Sequence, residues 1–181
     1  MPDFNPIFKG QLVRLAAPIA SDATKFAEWT QDDVYLRLLD DDPVKPRSEA
    51  TFANFADAIP DDSYGFHLRT LADDTVIGFV ALFNIKWSNQ TAEMAIGIGD
   101  PAYRGKGYGQ DALKLILNYA FNELNLHRVG LTVMSYNTKA IKAYERVGFV
   151  HEGTQRQAIQ RQGKRYDLLA YGILRSEFVV K

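Results

Sequence analysis

The stretch from Thr91 to Leu124 constrains this chain more than any other. It opens with the alternating segment Thr91-Ala92-Glu93-Met94-Ala95-Ile96-Gly97-Ile98-Gly99 and passes through Arg104-Gly105-Lys106-Gly107-Tyr108-Gly109. It ends in a pattern with Leu113, Ile116, Leu117, Ala120 and Leu124 apolar. A period of two, a glycine-rich turn and a period of 3.6 predict a strand, a turn and an amphipathic helix. Where such a turn delivers the chain into a helix start, backbone N–H groups point at one place and favour an anion. Two familiar anion turns do not fit. A P-loop ends in Gly-Lys-Ser/Thr, and no Ser or Thr follows Lys106 in the turn. A dinucleotide turn spaces its glycines two and then three apart, unlike the every-second-residue spacing here. What remains is a set of backbone donors with two cations and a helix behind them, which suits a pyrophosphate. The alternative is a glycine-rich connection that packs closely on a neighbour.

The rest of the chain supplies strands on both sides of that unit. Gln11 to Leu15 alternates and reads as a first strand, and Ser21-Asp22 reads as an N-cap for a helix bearing Phe26 and Ala27. A second short helix spans Asp32 to Leu39, and Asp40-Asp41-Asp42-Pro43-Val44-Lys45-Pro46 interrupts it. A further helix opens at Ser48-Glu49 and ends near Pro60. Tyr64–Thr70 and Thr75–Phe83 read as a hairpin about Asp73-Asp74. Arg128–Val133 is a strand, Asn137-Thr138 starts a helix stopped by Gly148, and Phe149–Thr154 and Asp167–Leu174 are closing strands. The polar segment Gln155–Arg165 reads as a loop between them. The expected fold is one α/β (α+β) domain over residues 1–181, with a mixed, mostly antiparallel sheet flanked by helices.

Composition enters as a filter. A chain of 181 residues buries roughly 70% of its unfolded surface and needs no staples. A formal net charge of -1 argues against a nucleic-acid partner, and the absence of cysteine removes disulfides, thiolate metal sites and a cysteine nucleophile. His67, His127 and His151 lack ligand spacing, so no metal is expected. No apolar run is long enough for a membrane span and Met1–Gly10 is unlike a secretory signal, so the expectation is a cytoplasmic protein with no membrane partner.

Arg104 to Gly109 resembles the Arg/Gln-x-x-Gly-x-Gly/Ala turn of the GNAT N-acetyltransferase superfamily. The text from Ala92 through Gly109, and Asn137-Thr138-Lys139-Ala140-Ile141-Lys142-Ala143-Tyr144-Glu145-Arg146-Val147-Gly148-Phe149, is similar to the RimJ/RimL-like branch. The resemblance runs over essentially the whole chain, with its specific motifs in the second half. It implies a sheet of about seven strands with a V-shaped splay between the fourth and fifth. It also implies acetyl-CoA as cosubstrate, gripped by Arg104, Gly105, Lys106, Gly107, Tyr108 and Gly109 at the pyrophosphate. Ile96, Ile98, Gly99, Asn137, Lys139 and Tyr144 would lie along the rest of the coenzyme. The acceptor would be a small-molecule or peptide amine, with a homodimer as an open option.

Acetyl transfer to an amine requires removal of a proton from the amine, stabilisation of the carbonyl oxygen and a proton for the leaving thiolate. Strand parity puts Met94, Ile96 and Ile98 on one face and Glu93, Ala95, Gly97 and Gly99 on the other. The second face reads as a carboxylate beside open room. The resemblance implies Glu93 as general base and Tyr144 as the acid, with backbone N–H near Ile98 meeting the oxyanion. Plainer readings stand beside these: a solvated Glu93, a core tyrosine at 144, a helix-capping Asn137, and a solvent-facing Lys139. Trp29, Tyr35 and Trp87 are candidates for an acceptor pocket, and Asp40–Asp42 for attracting a cationic acceptor. The residues leave open a module that binds coenzyme A without turnover.

Overall fold

The structure, a computed structural model, describes residues 6–53 and 63–179. Its seven strands are β1 (Val13–Ala16), β2 (Tyr64–Thr70), β3 (Val76–Lys86), β4 (Thr91–Ile98), β5 (Arg128–Met134), β6 (Val150–Arg161) and β7 (Lys164–Leu174). They lie in the order β1-β2-β3-β4-β5-β7-β6, antiparallel throughout except where β4 meets β5. A parallel pair needs a crossover, and α4 (Tyr108–Asn118) supplies it. The other helices are α1 (Ala23–Trp29), α2 (Asp33–Leu39), α3 (Glu49–Ala53) and α5 (Thr138–Val147). The expected continuation of the helix opened at Ser48 toward Pro60 falls partly outside the described residues.

The sheet separates two cores. On one side Leu113, Ile116, Leu117 and Ala120 pack against Ala92, Met94, Val129 and Leu131, as the apolar stripe predicts. On the other, Phe26, Trp29, Tyr35 and Val76 gather with Leu36, Leu39, Phe52 and Phe79 beneath α1, α2 and α3.

Three local expectations need correction. Asp22 does not cap α1. Its carboxylate is buried, 2.7 Å from His67 Nδ1 and bonded to the Arg69 guanidinium, because a buried carboxylate gains more from charged donors than from one backbone N–H. The central helix is not α-helical to Leu124, since Tyr119–Glu123 form a π-helical turn, and Leu124 just past it packs only partly buried against the core. Residues 155–165 are not a loop. β6 and β7 continue to a two-residue turn at Gln162 and Gly163, with φ of 48° and 76°, the geometry of a type I′ hairpin. The extension carries polar residues on both faces, so it has no period-two signal to read.

Candidate active site

The site begins where two strands part. β4 and β5 pair at Thr91–Arg128, Ala92–Val129 and Glu93–Gly130. Beyond that point β4 stays with β3 to Ile98–Gly78, and β5 stays with β7 to Met134–Leu168. Each arm is held by its outer neighbour, so the sheet opens into a fork with Glu93 at its vertex. The N–H of Gly99 donates to the carbonyl of Ile77 on β3 at 2.9 Å. Alternation along the ladder then turns the N–H groups of Ile96 and Ile98 away from β3 and into the fork. Backbone donors facing an opening of this kind call for an acceptor.

Arg104 does not reach outward from the turn as its place in the motif suggests. Its Nε donates to the Ile98 carbonyl at 2.9 Å, one Nη to the Gly99 carbonyl at 2.5 Å, and the other to Asp32 Oδ2 at 3.2 Å. The guanidinium also lies over the Tyr35 ring, 4.7 Å from its centroid. It thereby fixes the turn to the end of β4 and to α2. Asp32 is the N-cap of α2, and its carboxyl is held below the usual range by the Tyr35 N–H and by Arg104.

Past Arg104 the turn is shaped for backbone donation. Gly105 and Gly107 have φ of 74° and 92°, a region that L side chains enter only with strain. Gly109 is different. A methyl there would meet Ile98 at an ordinary 3.8 Å, so the chain's own packing does not demand glycine. α4 starts after Gly107 with no side-chain cap, which leaves the first N–H groups of the helix without a capping partner among the described residues. Asp111, in the first turn, carries a charge that would repel an anion. It is directed instead to the N–H groups of Gln11, Leu12 and Val13, at 2.7 to 3.1 Å. Lys106 is exposed and in no ion pair among the described residues; Tyr108 packs edge-on against Tyr103. This cradle fits a pyrophosphate.

On the other arm, α5 follows β5. Asn137 caps it through Oδ1 to the Ala140 N–H at 3.2 Å, while its Nδ2 donates to the Leu38 carbonyl at 2.9 Å. Lys139 is exposed. The Tyr144 ring is buried and edge-on to Phe149, and burial pushes its phenol up to about 12, so it stays protonated at any ordinary pH. Among the described residues its hydroxyl has no hydrogen-bond partner. Glu93 is exposed and accepts from Asn84 Nδ2 at 3.3 Å, a neighbour that sequence alone did not single out.

The fork is spanned by α2 and the chain after it. Tyr136 Oη donates to the Arg37 carbonyl at 2.6 Å, and Arg161 reaches the carbonyls of Asp40 and Asp42 at 2.8 and 3.3 Å. Together with Arg104–Asp32 these bonds anchor α2 to both arms. The room expected over the small face of β4 is already filled at two places. A methyl on Gly97 would lie 2.6 Å from the Tyr35 hydroxyl, and one on Gly99 would lie 2.1 Å from the Trp29 indole. Between α2, α3 and the sheet remains a cavity of about 300 Å³, lined by Trp29 and Tyr35 as the sequence suggested. Trp87 is half exposed at the β3–β4 turn and takes no part.

A family model for the acetyltransferase (GNAT) domain matches residues 13–150. This chain belongs to that family. Among relatives of this GNAT acetyltransferase, the SPbeta prophage-derived uncharacterized N-acetyltransferase YokL of Bacillus subtilis is 30% identical over 148 residues, covering 81% of this chain and 82% of that one. The spermidine N(1)-acetyltransferase of Vibrio cholerae is 35% identical over 108 residues, 60% of this chain and 62% of that one. A crystal structure of spermidine N-acetyltransferase from Vibrio cholerae in complex with CoA and spermine superposes with a TM-score of 0.79 at 26% identity, covering 91% of this chain and 96% of that one. The GNAT enzyme is thus an acyltransferase with acetyl-CoA as cosubstrate. No helix among the described residues is long and apolar enough to cross a membrane.

Proposed function

We propose that the whole chain acts as one N-acetyltransferase domain that moves an acetyl group from acetyl-CoA to a primary amine by direct attack. The carrying observation is the fork, with donors of β4 on its inner side that no strand among the described residues pairs, and a helix start at its end with no side-chain cap. The N–H groups from Gly105 to Gly109, with Lys106, hold the pyrophosphate. Those of Ile96 and Ile98 meet the pantetheine and the acetyl oxygen. Gly99, whose N–H and carbonyl are both bonded within the chain, and Arg104 keep that surface in place. Asn137 and Lys139 line the far arm.

The amine nitrogen forms the new C–N bond as the C–S bond breaks. Its proton passes through water to Glu93, and the departing thiolate takes the proton of the Tyr144 phenol. Glu93→Gln lowers the rate about 10²-fold at neutral pH, the lower end of general-base catalysis for an exposed carboxylate. An unchanged rate and an unchanged basic limb of the pH profile would remove Glu93 from this role.

The RimJ/RimL-like motifs favour a protein N-terminal amine or a small amine as acceptor, in the cytoplasm, with a homodimer compatible with the long β6–β7 hairpin. A polyamine is the second reading, favoured by the three carboxylates of Asp40, Asp41 and Asp42 gathered within 4.8 Å of one another. A third is acyl-CoA sensing without turnover. Coenzyme A at 100 times its Kd stabilises the fold by about 2.7 kcal/mol, a rise of several degrees in Tm. Absence of any shift defeats all three readings. Thiol release with an amine panel separates the enzyme from the sensor.

A further inference from the structure

The cavity beneath α2 has a chemistry of its own. Phe26, Trp29, Leu39, Phe52 and Phe79 make its walls, with Phe26 packed 4.8 Å from Trp29 and 5.7 Å from Phe52, ring centre to ring centre. At about 300 Å³ it stands at the small end of ligand sites, which run from roughly 300 to 1,000 Å³. Its inner end lies one side chain away from β4. Tyr35, Phe79 and Leu39 line it and also close on the backbone of Gly97, in the part of β4 that has left β5. Among the described residues the Tyr35 hydroxyl has no hydrogen-bond partner there. At the outer rim Asp40 and Asp42 stand with Lys45 and Arg47, two charges of each sign.

A linear polycation is poorly served by such a chamber. Its second and third ammonium groups would be taken from water among apolar side chains, and the two carboxylates among the described lining residues, Asp40 and Asp42, share that lining with two cations, Lys45 and Arg47. Aromatic faces can hold an ammonium, but Tyr35 lies under Arg104 and Trp29 lies against Gly99 and Phe26. An apolar body loses nothing by entering and gains contact with five apolar side chains.

We propose that this cavity takes the acceptor's body, and that the acceptor is a primary amine carried on a compact apolar group, aromatic or branched, with its nitrogen beside the Tyr35 hydroxyl at Gly97. The proposal rests on the acetyltransferase reading of the fork. The amine end faces the part of β4 that carries the Ile96 and Ile98 donors, so one bound geometry serves both recognition and attack.

The test compares 2-phenylethylamine, 3-methylbutylamine and spermidine as acceptors, following thiol release from acetyl-CoA. The two apolar amines are expected to exceed spermidine in kcat/KM by about tenfold or more, within the reach of an apolar pocket. Tyr35→Phe raises the KM for 2-phenylethylamine about three- to tenfold, the value of one hydrogen bond, and leaves the coenzyme A thermal shift intact. Binding is read separately in a Trp87→Phe background, where Trp29 is the remaining tryptophan. Its emission should respond to 2-phenylethylamine and not to spermidine. Spermidine equal or superior, or a Trp29 signal unmoved by saturating 2-phenylethylamine, overturns the inference while leaving the acetyltransferase reading standing. No coenzyme A shift and no thiol release with any amine overturns both.

Discussion

The two faces of β4 make contact with their neighbours by opposite means. Toward α4, Ala92, Met94, Ile96 and Ile98 interlock with the helix through side chains. Toward α2, Gly97 and Gly99 have no side chain, and the aromatic residues of α1 and α2 rest directly on the strand. The first face can absorb a change of shape by repacking. The second has nothing to repack, because one partner is backbone. The proposed coenzyme side of the fork is therefore set by the turn and α4, and the proposed acceptor side by how closely α2 approaches β4.

The largest test of this division is Tyr144→Phe. Its ring packs in the α4 core, so the change should leave coenzyme binding and stability near wild type while the rate falls by about 10²–10⁴. Steady-state kinetics beside a coenzyme A titration checks it, and parallel loss of both would mean that the hydroxyl positions the coenzyme instead. Up to about pH 11 the activity should show no decline from this phenol, whose pKa is pushed up to about 12 by burial.

Gly99→Ala probes the other face. The new methyl would overlap the buried Trp29 ring, and overpacking of this kind costs about 1–3 kcal/mol in denaturant unfolding. Acceptor KM should rise with it. If stability is unchanged, the indole has room to retreat and the contact is looser than described. Gly107→Ala, on the coenzyme side, costs about 1–2 kcal/mol because of its left-handed backbone and should weaken coenzyme A with little change in acceptor KM.

The smallest effect is a pH slope. Burial lowers the pKa of His67 below its ordinary value of 6.5, the Asp22 carboxylate opposing and Arg69 reinforcing. Below pH 6.5 the unfolded chain therefore binds the proton first, and stability falls with pH by at most about 1.4 kcal/mol per unit until the folded state protonates too. Unfolding midpoints between pH 7.5 and 5 measure it, and His67→Gln should flatten the slope.

Much of the coenzyme side was legible in the sequence because its determinants are local. Gly105, Gly107 and Gly148 each hold positive φ where the residue order predicts a turn or a helix stop. The periodicity of residues 113–120 names the buried stripe without reference to any partner. The acceptor side was less legible, since its determinants lie far apart in the chain. Gly97 and Gly99 read correctly as a face of small residues, but what occupies the space comes from Trp29, Tyr35 and Leu39. The carboxylate of Asp22 looks like a local cap until β2 brings His67 and Arg69 to it. Arg104 likewise reads as a phosphate ligand, and only the fold shows its guanidinium bonded to Asp32 and two carbonyls.

Asp111 has a bearing on the order in which the chain assembles during synthesis. Its carboxylate collects the N–H groups of Gln11, Leu12 and Val13, and Gly10 is small enough to let it approach. The opening of β1 therefore has its strongest local anchor about a hundred residues downstream. A nascent chain can form the β2–β3 hairpin as soon as it emerges from the ribosome, whereas the start of β1 waits for α4. Until then β1 can pair with β2 but the N–H groups of residues 11–13 lack that carboxylate, and chains stalled before residue 111 should be the ones in which proteases and chaperones find this segment.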